Sequence, residues 1–182
     1  MSSVATTERG ATAERGTTTL VVGLGNPILG DDGVGWRVVD ALEDRLAGDD
    51  VTRRSAGVVE LDRVAVGGLS LMERLVGYDR VVLVDAILGG DMPGTVSVGS
   101  LAETACRRAG HLDSAHDVSL TEALSAGRAL GAHLPDDITV VTVAARCVDI
   151  FDERLSPEVG AALDAAVDDI LAVLGRPPAR LA

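Results

Sequence analysis

Aromatic residues are nearly missing from this chain: one Trp, one Tyr and one Phe among 182 positions. The core must therefore be built from Val, Leu, Ile and Ala, and stacking of bases or sugars on aromatic faces gives little basis for binding. Cysteines number two, Cys106 and Cys147. That is too few for a disulfide framework, so a reducing, cytoplasmic setting is the simpler expectation. No apolar run approaches the roughly 20 residues that span a bilayer. Residues 1–17 carry Glu8, Arg9, Glu14 and Arg15 but no apolar stretch of the signal-peptide kind, and no membrane partner is expected. Basic residues are scarce too, 16 against 28 acidic ones for a net charge of −12. The basic stripe of a nucleic-acid surface is absent, and the acids are spread along the chain as on a solvated face.

What is present suits one domain with a substantial core. Residues 1–17 are expected to be a disordered N-terminal tail, 18–175 a single α/β domain and 176–182 a C-terminal tail. Three apolar runs, 18–23 (TTLVVG), 80–85 (RVVLVD) and 138–144 (ITVVTVA), lack alternation and read as parallel strands covered on both faces. Weaker strands are expected at 57–61 and 95–99, the second after a Met-Pro-Gly turn at 92–94 that reverses the chain. Val34, Val38, Leu42 and Leu46 recur every fourth residue and form one helical stripe. Shorter helices are expected over 69–75 and 118–130. A last one opens with Ser156 as N-cap and Pro157 at its first position, carries Val159, Leu163, Val167, Ile170 and Leu174, and ends at Gly175. This order predicts a three-layer α/β/α sandwich on a sheet of about five mostly parallel strands, one of them antiparallel.

Ligands in such sheets lie outside the carboxyl ends of the strands. The first strand runs into GLGNPILGDDGVG, which sets Asn26, Asp31 and Asp32 in a glycine-rich loop at a helix start. It is not a dinucleotide loop: the third glycine of that fingerprint would fall on Ile28, and two adjacent carboxylates repel a pyrophosphate. Asp85 follows four apolar residues, and a carboxylate there needs a partner or a metal. His116, in SAHDVSL, lies just before or within the first turn of the helix at 118–130, where the helix dipole disfavours imidazolium and leaves a neutral, ligating imidazole. Two carboxylates and an imidazole suit a borderline divalent ion such as Ni²⁺ or Zn²⁺. Structural readings remain open at this point: Asp32 as a helix cap at Gly33, Asp85 paired with Arg80 or another base, and His116 as a surface cap.

Taken together, GLGNPILGDDGVG, VDAILGGDMPGT and SAHDVSLTEAL, with the late Leu-Ser-Pro at 155–157, resemble the hydrogenase maturation endopeptidases over residues 18–174. The resemblance implies the same α/β/α sandwich and an enzyme that trims a C-terminal peptide from a nickel-iron hydrogenase large-subunit precursor after nickel insertion. It carries the metal-binding and catalytic roles to Asp32, Asp85 and His116. Asp31 is an additional candidate, as a base or as support for the ligands, and Asn26, Gly25 and Gly33 support the loop. It further implies nickel carried by the precursor as the recognition element, with Zn or a similar ion able to occupy the site in isolation, and the precursor as partner of a monomeric protease. The chain departs from the family pattern in a longer stretch at 48–57, in Arg146-Cys147-Val148 after the last strand, and in Asp62-Arg63-Val64-Ala65 before Gly67. These differences bear on which hydrogenase is processed.

Other enzymes fit less well. VVGLGNP also resembles the opening of peptidyl-tRNA hydrolases, but those need a histidine soon afterwards and a basic face, and here the first histidine is His111. There is no Gly-x-Ser-x-Gly elbow for a serine hydrolase. Cys106 lies beside Arg107 and Arg108 in what reads as a surface segment, and Cys147 and His133 read as packing or surface residues. The non-enzymatic alternative is a metal-dependent chaperone that binds the precursor without cutting it.

Overall fold

The computed structural model describes residues 17–48, 58–89, 92–108 and 119–176; most of the two expected tails lies outside them. Five strands, β1 (Thr18–Leu24), β2 (Val58–Val64), β3 (Arg80–Leu88), β4 (Val96–Ser100) and β5 (Asp137–Ala145), form one sheet in the order β2-β1-β3-β5-β4. β1 runs parallel to β2 and β3, and β3 parallel to β5. Only β4 is antiparallel, paired with β5 after the turn at Pro93 and Gly94. The helices are α1 (Val34–Gly48), α2 (Gly68–Arg74), α3 (Leu101–Arg108), α4 (Leu120–Ala129), α5 (Pro157–Ala161) and α6 (Leu163–Leu174). None is long and apolar enough to cross a membrane.

Alternate residues of the buried strands feed two separate cores, as the period of a strand requires. Val21, Val82, Val84, Val141 and Val143 point to one face, where they meet Val34, Val38 and Leu42 of α1 and Val167 and Ile170 of α6. Leu20, Val22, Val81, Leu83 and Val140 point to the other, against Leu71 and Met72 of α2 and Ala123 and Leu124 of α4. This is the expected α/β/α sandwich. Its core is aliphatic, and its strands are rich in β-branched Val, which packs well on a pleated surface.

Three local differences stand out, the first two with a physical cause. β3 runs on through Asp85 to Leu88, because β5 offers it a partner as far as Ala145; the charge at 85 does not end the strand. α3 falls in a segment with no apolar stripe and so was not expected. It is started by Ser100 and Glu103: the Ser100 backbone N–H donates to the Glu103 carboxylate at 2.7 Å, and the Glu103 N–H to Ser100 Oγ at 3.3 Å. Ser119 and Glu122 repeat this reciprocal cap at α4. The single last helix is two, with a break at Ala162, although the stripe from Val159 to Leu174 continues across it.

Arg80 does not meet Asp85. It stands at the other end of β3, 5% exposed, with its guanidinium donating to the carbonyls of Val173 (2.6 Å) and Arg176 (2.9 Å). Its Nε lies 3.4 Å from the Asp137 carboxylate. A cation there satisfies the last carbonyls of α6 and opposes the negative end of its dipole.

At the sheet's β2 edge the Tyr78 hydroxyl donates to Glu60 at 2.6 Å. That bond, followed by burial and the charges of Glu60 and Asp62, pushes the phenol up to about 12. Tyr78 is the chain's one tyrosine, so tyrosinate absorbance reports it alone. It should ionise about two units above the free value, near pH 10, and Glu60→Gln should bring it back toward that value. The sign follows from the raised folded value: the bond's stabilisation is complete below about pH 10 and is lost as pH rises toward 12.

Candidate active site

The strand order places the site. The chain leaves β1 through α1 to reach β2 on one side, then returns through α2 to β3 on the other side of β1. The connections also change face, since α1 packs in one core and α2 in the other. The crevice of such a sheet opens at this switch, outside the carboxyl ends of β1 and β3. Gly35, at the start of α1, lies directly on that seam: a Cβ there would come within 2.3 Å of the Leu24 carbonyl oxygen and 2.5 Å of that of Val84.

Both candidate carboxylates flank this contact. Asp85 follows Val84, one residue past the last β3 position in register with β1, and is half-buried opposite Thr142 of β5. Asp32 lies three residues before Gly35, in a 3-10 turn spanning Gly30–Gly33. Its carboxylate turns back over the loop instead of capping α1, and accepts the Asn26 N–H on Oδ2 at 2.6 Å. Asn26 in turn accepts the Ile28 N–H on its side-chain oxygen at 3.2 Å, an Asx turn. Gly25 has φ +115°, and a Cβ on it would sit 1.8 Å from the Asp32 carbonyl oxygen, so the loop closes only over glycine. At Gly33 a Cβ would lie 2.8 Å from Pro27 Cα.

Asp31 faces the other way. It is 2% exposed, and its carboxylate accepts three hydrogen bonds from the segment after β5. Oδ1 receives the Ser156 N–H at 2.6 Å; Oδ2 receives the Arg146 N–H and the Ser156 hydroxyl, both at 2.9 Å. Ser156 does occupy the N-cap position of α5, yet makes no side-chain cap bond, because its hydroxyl is spent on Asp31. The backbones of the two loops join as well: Gly30 N–H to Asp152 O at 2.6 Å, Asp31 N–H to Cys147 O at 3.2 Å, and Asp152 N–H to Ile28 O at 3.2 Å. Arg37 of α1 adds a bond to the Glu153 carbonyl. Sequence reasoning did not find this tie, since nothing in one sequence couples residue 31 to residue 156.

His116 lies outside the described residues. The helix expected after it, α4, has Ser119 as its N-cap and starts at Leu120. Among the described residues no group of three His, Cys, Asp or Glu is disposed to hold a metal. A hollow of about 350 Å³ lies near the opposite end of the sheet, by Arg80 and Asp137. Arg80 is committed there to the end of α6, so topology rather than cavity size marks the site.

The family model for hydrogenase maturation proteases (HycI) matches residues 37–173, most of the chain. The chain belongs to the hydrogenase maturation protease family. Hydrogenase 2 maturation protease of Escherichia coli (strain K12) is 30% identical over 156 residues, covering 85% of this chain and 89% of that protein. The hydrogenase expression/formation protein HupD of Rhizobium leguminosarum bv. viciae is 29% identical, over 85% and 73% respectively. Among solved structures, the hydrogenase maturating endopeptidase HybD from E. coli superposes with TM-score 0.69 at 28% identity, covering 87% of this chain and 92% of that one. The family match begins just after the glycine loop. Asp85 and His116 therefore lie within it, and Asp31 and Asp32 lie before it.

In this maturation protease the Asp31 tie has a testable cost. Asp31→Ala leaves two part-buried N–H groups and a hydroxyl without their acceptor, at about 1 kcal/mol or more for each donor that water does not reach. Urea unfolding should show a loss of at least about 2 kcal/mol. Ser156→Ala removes one bond and should cost about 1 kcal/mol. Equal, negligible losses would show that the loops are held by backbone bonds alone.

Proposed function

We propose that this protease removes the C-terminal extension of a nickel-iron hydrogenase large-subunit precursor after nickel has been inserted, and that Asp32, Asp85 and His116 recognise the ion carried by that precursor. The observation that carries the reading is the position of Asp32 and Asp85. In a member of this family, both carboxylates flank the close approach of Gly35 to β1 and β3 at the switch point. One oxygen of Asp32 is pinned by the Asn26 N–H, which fixes the rotamer and leaves the second oxygen to face a ligand.

Two carboxylates and a neutral imidazole form a borderline donor set that leaves coordination positions open. Such a set is suited to completing the shell of an ion already held by the substrate's own ligands, so that only a loaded precursor docks productively. Hydrolysis then needs water delivered to the scissile carbonyl at this edge, where the carboxylates are placed to orient it. The setting in which this occurs is the cytoplasm.

The test is a processing assay read by mass spectrometry, with the large-subunit precursor offered with and without nickel. Truncation should occur with the loaded precursor only. Asp85→Asn and His116→Ala should each abolish it, a loss of at least about a hundredfold, with unchanged unfolding midpoints. Nickel-dependent association without truncation would replace this reading by that of a chaperone. Unfolding of either variant would assign the residue a structural role instead.

A further inference from the structure

Exposed apolar side chains are unevenly distributed between the two ends of the sheet. Among the described residues, eleven large hydrophobics are exposed. Seven of them lie on segments at or beyond the carboxyl ends of the parallel strands: Ile28 after β1, Val66 and Leu69 after β2, Leu88 and Met92 at and after β3, and Ile150 and Phe151 after β5. Scattered exposed hydrophobics are ordinary, but a concentration beside a catalytic edge is not. Phe151 is 81% exposed and is the chain's one phenylalanine. Ile150 is 61% and Ile28 44% exposed.

These last three lie on the two loops that are joined. The Asp152 N–H bonds the Ile28 carbonyl, the Gly30 N–H bonds the Asp152 carbonyl, and the Asp31 carboxylate holds both ends of the segment after β5, at Arg146 and Ser156. A rigid mount keeps these apolar groups in water at a standing cost, which is recovered only when something covers them. Ile28 is four residues from Asp32 on the same short loop, so any chain that brings a scissile bond to Asp32 must lie across this ground. The charges beside it are acidic or already paired: Arg154 grips the Asp152 carboxylate with two bonds at 3.1 Å, Arg146 lies 3.6 Å from Glu158, and Asp149 and Glu153 remain.

We propose that Ile28, Ile150 and Phe151 form the docking pad for the substrate, and that its occupant is an apolar stretch of the large-subunit precursor with basic rather than acidic flanks. This rests on the proposed function above and names the surface that gives the protease its grip on the polypeptide, separate from its reading of the metal. An exposed aromatic side chain that becomes buried on docking, with apolar neighbours that exclude water around it, is a common anchor of an interface.

The test measures both binding and processing of the nickel-loaded precursor by the full-length protein. Phe151→Ala combined with Ile150→Ala should raise KM and the precursor Kd by at least roughly tenfold with kcat kept, and should leave the unfolding midpoint unchanged. Leu130→Ala, 88% exposed at the end of α4 and away from this edge, should change none of these. Unaltered KM and Kd in the double variant would overturn the pad. If the wild-type protein binds the precursor without cutting it and the double variant loses that binding, the pad stands and the protease reading fails. If the wild-type protein neither binds nor cuts, both fail.

Discussion

Three hydrogen bonds to one buried carboxylate tie together two loops at the carboxyl end of the sheet. Asp31 gives both oxygens to the segment after β5, at Arg146 and Ser156. It thereby joins the loop that follows β1 to a segment more than a hundred residues later in the chain. Burying a carboxylate is costly unless its acceptor sites are filled; here the donors are two backbone N–H groups and a hydroxyl, fixed in direction by the start of α5. The neighbouring Asp32 turns the other way, back over its own loop to the Asn26 N–H. Two adjacent acids thus turn to different partners, Asp31 to the segment after β5 and Asp32 to the Asn26 N–H of its own loop.

The sheet explains why this junction matters. The strand order reverses at β1 and β3, so loops on either side of that seam diverge and leave a crevice. Gly35 lets α1 sit against the backbone of both strands, and the helix carries the glycine loop with it. Asp85 gains its place from β5, which keeps β3 extended beyond the last residue paired with β1. The opposite end of the sheet is closed differently, by Arg80 under the last turn of α6. At that end the buried cation is committed to backbone carbonyls, whereas the other end presents polar and apolar groups outward.

The layered fold was legible because uninterrupted Val and Leu runs and a four-residue stripe each have one natural reading. The switch point was implicit in that order of elements. α3 was missed since its helix is announced by Ser100 and Glu103 and not by an apolar face, though the same Ser-x-x-Glu spacing recurs at Ser119 and Glu122. Asp32 and Asp85 were singled out by position relative to strand ends, and Asp85 proved to lie inside a strand that a distant partner prolongs. The Asp31–Ser156 tie was not legible at all. Ser156 carried every sign of a helix cap, and its use elsewhere depends on a contact across 125 positions. Long-range pairing of short polar side chains leaves no periodic trace in a sequence, whereas packing does.

On the proposed function, side chains of this edge read the precursor's nickel directly. The most direct measurement is nickel X-ray absorption of the loaded precursor, before and after addition of a stoichiometric amount of the protein, under conditions that slow cleavage. The nickel should gain oxygen and nitrogen neighbours on mixing, and Asp85→Asn should remove part of that gain. An ion whose coordination is unchanged when the complex forms would contradict it, and would move the source of selectivity to the surface of the polypeptide.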